Sequence, residues 1–179
     1  MIVAVPAGQA EKFRALLKRY SLGDVRVVQG GRTRAESVRN GVLSVSEDCQ
    51  WIMVHDAARP LVSKRSVRRL IHSAKKTGAA ILIAPVISTV KRMDARHKYI
   101  LRTEDRSSLV LAQTPQIFKR DLLMARYQAL GSKALLATDE AALFDGCQIK
   151  VNVVPGDERN IKITTPTDID LFKFYMEKK

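Results

Sequence analysis

The sequence is poor in the residues that staple or ligate small proteins. It has two cysteines, Cys49 and Cys147, in 179 residues and no CxxC pair, and its three histidines, His55, His72 and His97, stand far apart. Disulfide frameworks and zinc ribbons are therefore not expected. No apolar run approaches the ~20 residues of a membrane-crossing helix, and the N-terminus lacks the basic-then-apolar order of a signal peptide. A reducing cytoplasm and no membrane contact are the expectation. Aromatic residues make up only 6% of the chain and do not interleave with a basic tract, which counts against a surface for single-stranded nucleic acid. Acidic residues are also scarce, 18 against 31 Lys and Arg, giving a formal charge of +13. Such a balance attracts anions, whether nucleic acid, acidic membrane or phosphorylated small molecules.

What is present is an alternation. IVAV (2–5), VRVV (25–28), WIMV (51–54) and AAILIAPV (79–86) are short, largely apolar and β-branched, as strands covered on both faces are. Helical segments lie between them. TRAE (33–36) has capping-box spacing, and SKRSVRRLIHSAKK (63–76) sets Val67, Leu70 and Ile71 on one stripe with its cations on the other, a basic face that reads as a solvated one. This order predicts a Rossmann-like three-layer α/β/α sandwich with a mostly parallel sheet. The pattern breaks at KRMDARHKYILRTEDRSS (91–108), which has no sustained helical period and alternates only around Tyr99 to Leu101. It is expected to leave the sheet as a β-arm, a subdomain of 91–109 within a single domain spanning 1–179. Beyond it the sequence predicts a helix over 119–130, a helix start near Thr138, strands in QIKVNVV (148–154) and near Ile161 to Ile163, and a final helix with Thr165 as N-cap and Pro166 at its first position.

Three groups of residues carry candidate chemistry. QGGRTRAESVRNG (29–41) passes from strand through two glycines into a helix start, which is either a tight turn or a loop that brings backbone N–H groups to a ligand. WIMVHDAARP (51–60) ends a strand in His-Asp, where open α/β sheets have their ligand crevice. Asp56 there either meets a magnesium ion or a ribose hydroxyl, or caps the next turn with Arg59 as its salt-bridge partner; His55 reads as structural. STVKR (88–92), EDRSS (104–108), AQTPQ (112–116) and ERNIKITTP (158–166) place Thr89, Arg106, Thr114 and Lys162 near turns, and with Thr138 these would suit a phosphorylated polyol. No GxSxG, HExxH or Cys-His pair appears, so direct displacement at phosphorus fits better than a covalent intermediate.

The motifs GGxTRxxSVxNG, VHDAARP, APVxxTxK, AQTPQxF, TDEAAL and NIKITTPxD, in this order and spacing, closely resemble the 2-C-methyl-D-erythritol 4-phosphate cytidylyltransferase family over essentially the whole chain. The resemblance implies a magnesium-dependent transfer of CMP from CTP to methylerythritol phosphate with release of pyrophosphate, in a homodimer with interlocked arms. It implies that Gly31 and Ser37 recognise cytosine with Arg34 beside them, that Asp56 serves ribose and magnesium with Ala57 in the same loop, and that Arg59, Thr89, Thr114 and Thr138 lie on the substrate side. Arg106, reaching across the dimer, and Lys162 would position the nucleophile.

Two departures accompany it. Ser88 stands where the family has aspartate, and the family's opening PAAGxGxRMG loop and downstream PKQ have no counterpart. MIVAVPAGQAEKF matches the family's second βα unit instead. The first unit is thus expected to be missing, leaving neighbouring strands unpaired and the chain as given incomplete and weakly active or inactive. The alternatives are a ribitol 5-phosphate cytidylyltransferase, a catalytically dead regulatory or dimer-partner protein, and a non-catalytic basic binding protein.

Overall fold

A computed structural model of the chain describes residues 1–178. In chain order its elements are β1 (Ile2–Val5), α1 (Ala10–Arg19), β2 (Arg26–Gln29), α2 (Arg34–Leu43), β3 (Trp51–Val54), α3 (Lys64–Thr77), β4 (Ala79–Pro85), β5 (Lys91–Met93), β6 (Ile100–Thr103), β7 (Val110–Lys119), α4 (Arg120–Leu130), β8 (Asn152–Pro155) and α5 (Pro166–Glu177). Tight 3-10 turns cover Arg106–Ser108, Gly131–Leu136 and Ala141–Phe144.

The strands form three sheets: β1-β2, the central β3-β7-β4-β8, and the hairpin β5-β6. β1 with β2 and β4 with β8 run parallel, whereas β7 is antiparallel to both its neighbours, so the architecture is α/β with mixed sheets. β1 and β3 are not hydrogen-bonded to each other. A groove of about 520 Å³ separates them, lined by Met1, Ile2 and Ala4 on one side and Trp51, Ile52 and Met53 on the other.

The period-2 alternation of strands divides the central sheet's residues between two cores. Ala79 and Ile81 of β4 and Phe118 of β7 join Leu123 and Tyr127 of α4 and Phe144, with Phe118 and Phe144 stacked at 5.1 Å. The intervening Ala80 and Leu82, with Ile117 and Val154, meet Leu70 and Ala74 of α3. Helices on both faces explain why these strands read as continuous apolar runs. On α3, Leu70 is buried but Ile71 lies at the stripe's exposed edge.

The caps follow local chemistry. Ser63 accepts from the Ser66 N–H at the start of α3, and Gly78 ends that helix at φ +87°, where a Cβ would stand 2.5 Å from Leu122. Only glycine fits this αL cap. Thr165 and Asp168 form a full capping box on α5, with Pro166 in the first turn. At α2 the box is incomplete: Thr33 accepts from Glu36 N–H, but the Glu36 carboxylate accepts from Arg32 N–H rather than from that of Thr33.

Three sequence expectations change. AQTPQ is not near a turn but lies inside β7, the longest strand. Ile161–Ile163 is irregular, tied by its Ile163 N–H to the Ala58 carbonyl at 2.8 Å. The TDEAAL segment makes a single 3-10 turn. Among the described residues no helix is long and apolar enough to cross a membrane.

Candidate functional site

Four segments meet at the carboxyl end of β3. The chain leaves Val54 into a turn, and the Asp56 N–H donates to Thr114 Oγ1 at 3.0 Å. That hydroxyl also shares a hydrogen bond with His55 Nδ1 (3.1 Å), while His55 Nε2 meets the Arg59 carbonyl (3.0 Å). Both imidazole nitrogens are thus engaged within the protein. Burial pushes the imidazole's pKa down, only partly opposed by the Arg59 carbonyl and the Asp56 charge, and a structural histidine is what results.

The Asp56 carboxylate faces three cations. Lys162 Nζ lies 2.9 Å from its Oδ2, Arg34 Nε 3.2 Å from its Oδ1, and Arg59 Nε 4.0 Å from Oδ2. Burial would raise this carboxyl's pKa, but the Lys162 hydrogen bond and the charges of Arg34 and Lys162 outweigh it and hold the pKa below the usual value. Asp56 is therefore ionised at neutral pH. Its expected role as a cap paired with Arg59 is the weakest of the three contacts.

Lys162 reaches Asp56 because its segment is stapled alongside. Arg59 Nη1 donates to the Asn160 carbonyl (2.8 Å) and Ile163 N–H to the Ala58 carbonyl (2.8 Å). Asn160 itself is buried and donates to the Thr114 carbonyl at 2.9 Å. The buried Nε of Arg59 has no hydrogen-bond partner among the described residues.

Arg34, in the first turn of α2, carries the network further. Its Nη1 and Nη2 donate to Glu140 Oε1 and Oε2, both at 3.0 Å. The Glu140 side chain is only 3% exposed. Burial raises its carboxyl's pKa above the ordinary value, with the Arg34 hydrogen bond and charge pulling the other way. Next to Arg34, Ser37 Oγ accepts from the Gly31 N–H at 3.0 Å. A Cβ on Gly31 would stand 2.2 Å from the Glu36 side chain, so this position requires glycine.

Arg34, Asp56, Arg59 and Lys162 thus gather at the carboxyl end of β3, with Ala57 in the same turn and Gly31 and Ser37 flanking Arg34 at the start of α2. Thr114 joins them differently from expectation. It is 4% exposed and its hydroxyl is taken up by the Asp56 N–H and His55, so it holds the Asp56 turn rather than offering a free hydroxyl. Thr138 is exposed two residues before Glu140. Thr89 and Arg106 do not reach the cluster within this chain. Both are exposed at the base of the β5–β6 hairpin, and Arg106 Nη1 donates to the Ile87 carbonyl. Glu140 and Asn160 escape sequence reading although both stand in quoted motifs, because nothing in their spacing marks them as buried.

Comparison with known proteins now adds to this geometry. The family model described as "IspD: 2-C-methyl-D-erythritol 4-phosphate cytidylyltransferase" matches residues 1–178. A 2-C-methyl-D-erythritol 4-phosphate cytidylyltransferase of Solibacter usitatus is 38% identical over all of this chain and 75% of its own length. A bifunctional enzyme IspD/IspF of Anaeromyxobacter is 42% identical over 94% of this chain, which spans 44% of that longer protein. The crystal structure of 4-diphosphocytidyl-2C-methyl-D-erythritol synthase from Anaerococcus prevotii superposes with a TM-score of 0.86 at 30% identity, covering 98% of this chain and 78% of that one. The chain belongs to the 2-C-methyl-D-erythritol 4-phosphate cytidylyltransferase family.

Proposed function

We infer that this family member transfers the cytidylyl group of CTP to 2-C-methyl-D-erythritol 4-phosphate. A phosphate oxygen of the sugar phosphate forms a bond to the α-phosphorus, the bond from that phosphorus to the bridging oxygen breaks, and pyrophosphate leaves with the electron pair. The observation that carries the reading is the single cluster of Arg34, Asp56, Arg59 and Lys162 at the end of β3. Catalysis of this kind rests on positioning and on neutralising phosphate charge, and three cations around two carboxylates leave an excess of positive charge for that purpose.

In this reading Gly31 and Ser37 face the cytosine, Asp56 and Ala57 the ribose side, and Arg59 adds its positive charge on the substrate side. Lys162, 40% exposed, exchanges its bond with Asp56 for one with the incoming sugar phosphate. Thr138 faces the polyol, Thr89 joins it only from a second copy, and Thr114 fixes the Asp56 turn.

The residues present fit a divalent ion in one mode. No three His, Cys, Asp or Glu side chains gather to cage a metal among the described residues, but magnesium is commonly held by one carboxylate together with substrate phosphates. Asp56 would hold it, and the ion would supply charge neutralisation on the phosphates. Release of Lys162 from Asp56 is the protein's part in making that oxygen available.

Arg106 belongs to this site only if a second copy supplies it. Support comes from the hairpin, where Tyr99, Ile100 and Leu101 are 72%, 64% and 63% exposed. Apolar side chains contiguous on an arm mark an association surface, and a homodimer with exchanged arms would bury them.

Calorimetric titration tests the reading: saturable CTP binding in magnesium, with CTP preferred over UTP, ATP and GTP, followed by pyrophosphate release that requires methylerythritol phosphate and is not supported by ribitol 5-phosphate. Absence of CTP binding would contradict the assignment.

A further inference from the structure

We propose that Glu140 is a positioning residue whose function is to hold the fork of Arg34 and so keep Asp56 open to a nucleotide-bound divalent ion. The proposal rests on the nucleotide-site reading above and extends it to a side chain outside the cluster's obvious members. Arg34 has five N–H donors in a rigid plane. Glu140 takes the two terminal nitrogens end-on, each at 3.0 Å, and Asp56 receives only the Nε contact at 3.2 Å. Without Glu140 the same plane can turn its Nε and one Nη edge onto Asp56, the paired geometry that guanidinium and carboxylate favour. Asp56 would then be gripped by two donors of Arg34 besides Lys162, with no oxygen to give.

Glu140 is held for this task from the same strand that holds Asp56. Thr114 Oγ1 on β7 receives the Asp56 N–H. Two residues along, past the point where the pairing of β7 with β4 shifts register, Gln116 is fully buried and its Oε1 accepts from the Ala141 N–H at 3.1 Å. Gln116 Nε2 donates to Asp139 Oδ2 at 2.8 Å, and Asp139 Oδ1 accepts from the Ala142 N–H at 3.0 Å. The loop around Glu140 is thereby locked on both sides. The two carboxylates that share Arg34 are thus both tied to β7, through Thr114 and Gln116, which sets how the guanidinium divides between them. A buried ion pair is a poor device for stability alone, since apolar replacements commonly do as well, so its presence beside Asp56 favours a role in geometry.

The test compares wild type with Glu140→Gln, which keeps the side chain's shape but sets an NH2 against an Arg34 donor. In the ligand-free protein, ¹⁵N spectra of the Arg34 guanidinium should show the two Nη groups held separately in wild type and altered in the variant. The magnesium concentration that half-saturates CTP binding should rise by about tenfold, the equivalent of 1.4 kcal/mol, while CTP affinity at saturating magnesium stays near wild type. Adding Arg34→Lys, which cannot grip Asp56 with a fork, should bring the magnesium requirement back down. Should Glu140→Gln fail to fold, Glu140→Asp, which shortens the reach, is read by the same titration. An unchanged magnesium requirement, or an equal loss of CTP affinity at every magnesium concentration, overturns the proposal. Wild type that binds no CTP at all overturns the functional reading on which it stands.

Discussion

Glu104 and Glu140 are both gripped by arginine, with opposite consequences. Glu104, at the end of the β5–β6 hairpin, accepts from Arg92 and from Arg102, whose side chains are 58% and 63% exposed. The Arg92 hydrogen bond, then that of Arg102, draws its pKa below the ordinary value. Glu140 has a fork of comparable chemistry, yet burial raises its pKa against the pull of Arg34. On the hairpin, water shares every charge, and the arm is free to adapt to a partner. In the cluster the carboxylates are withdrawn from water, Glu140 to 3% and Asp56 to 15% exposure, so each depends on its cationic neighbours. Removing one partner there leaves a penalty that the arm never incurs.

The largest test of this contrast is Arg34→Ala. It strands a buried carboxylate, and the expected loss is about 3–5 kcal/mol at neutral pH in urea unfolding. The sign with pH is set by Glu140. A folded-state pKa above the unfolded one favours the protonated form, so the loss should be smaller near pH 5 than at pH 8; equal losses would mean that Glu140 is not the stranded group. Lys162→Met should come next. Its partner Asp56 keeps Arg34, and Lys162 is 40% exposed, so stability should fall by about 1 kcal/mol or less, while methylerythritol phosphate binding by calorimetry weakens by about tenfold.

On the arm, the exchanged-arm dimer proposed above predicts that Ile100→Lys lowers the mass seen in light scattering toward that of one chain, yet changes the unfolding free energy of the isolated protomer by no more than about 0.5 kcal/mol. A large stability loss there would erase the distinction between the two regions. The smallest effect belongs to a third carboxylate. Asp168 accepts from the backbone of Thr164 and Thr165 and from both hydroxyls, which lowers its pKa to about 2. Since the folded pKa is depressed, this contribution to α5 is present above the ordinary aspartate range and lost as pH falls toward 2. The Asp168 carboxyl resonance should report that midpoint.

The same contrast explains what could be read without coordinates. β1, β3 and β4 are found at the residues that IVAV, WIMV and AAILIAPV predict; in β4 the apolar run reflects burial between helices, a property of the strand itself. β7 could not be seen that way. Gln113, Thr114 and Gln116 are buried polar residues whose partners come from 23 to 59 positions away in the chain, and periodicity carries no trace of such pairings. Ile161–Ile163 differs for the converse reason: it alternates like a strand, but its Ile163 N–H goes to the Ala58 carbonyl, and the carbonyl of the preceding Asn160 to Arg59, instead of to a sheet. Asp56, Arg34 and Lys162 were legible as motif positions, whereas Glu140, in an Asp-Glu pair on a loop, looks solvated until Arg34 and Gln116 are brought beside it. Thr89 and Arg106 remain apart from the cluster in one chain, as residues awaiting a second copy would.

The most direct test of the central claim is calorimetry of CTP binding across a magnesium series, for wild type and Asp56→Asn. If the cluster at the end of β3 is the nucleotide site, wild type binds CTP with an affinity that rises with magnesium, and the variant loses that dependence and about tenfold or more in affinity at high magnesium. Equal affinity and equal magnesium dependence in the two proteins would contradict it.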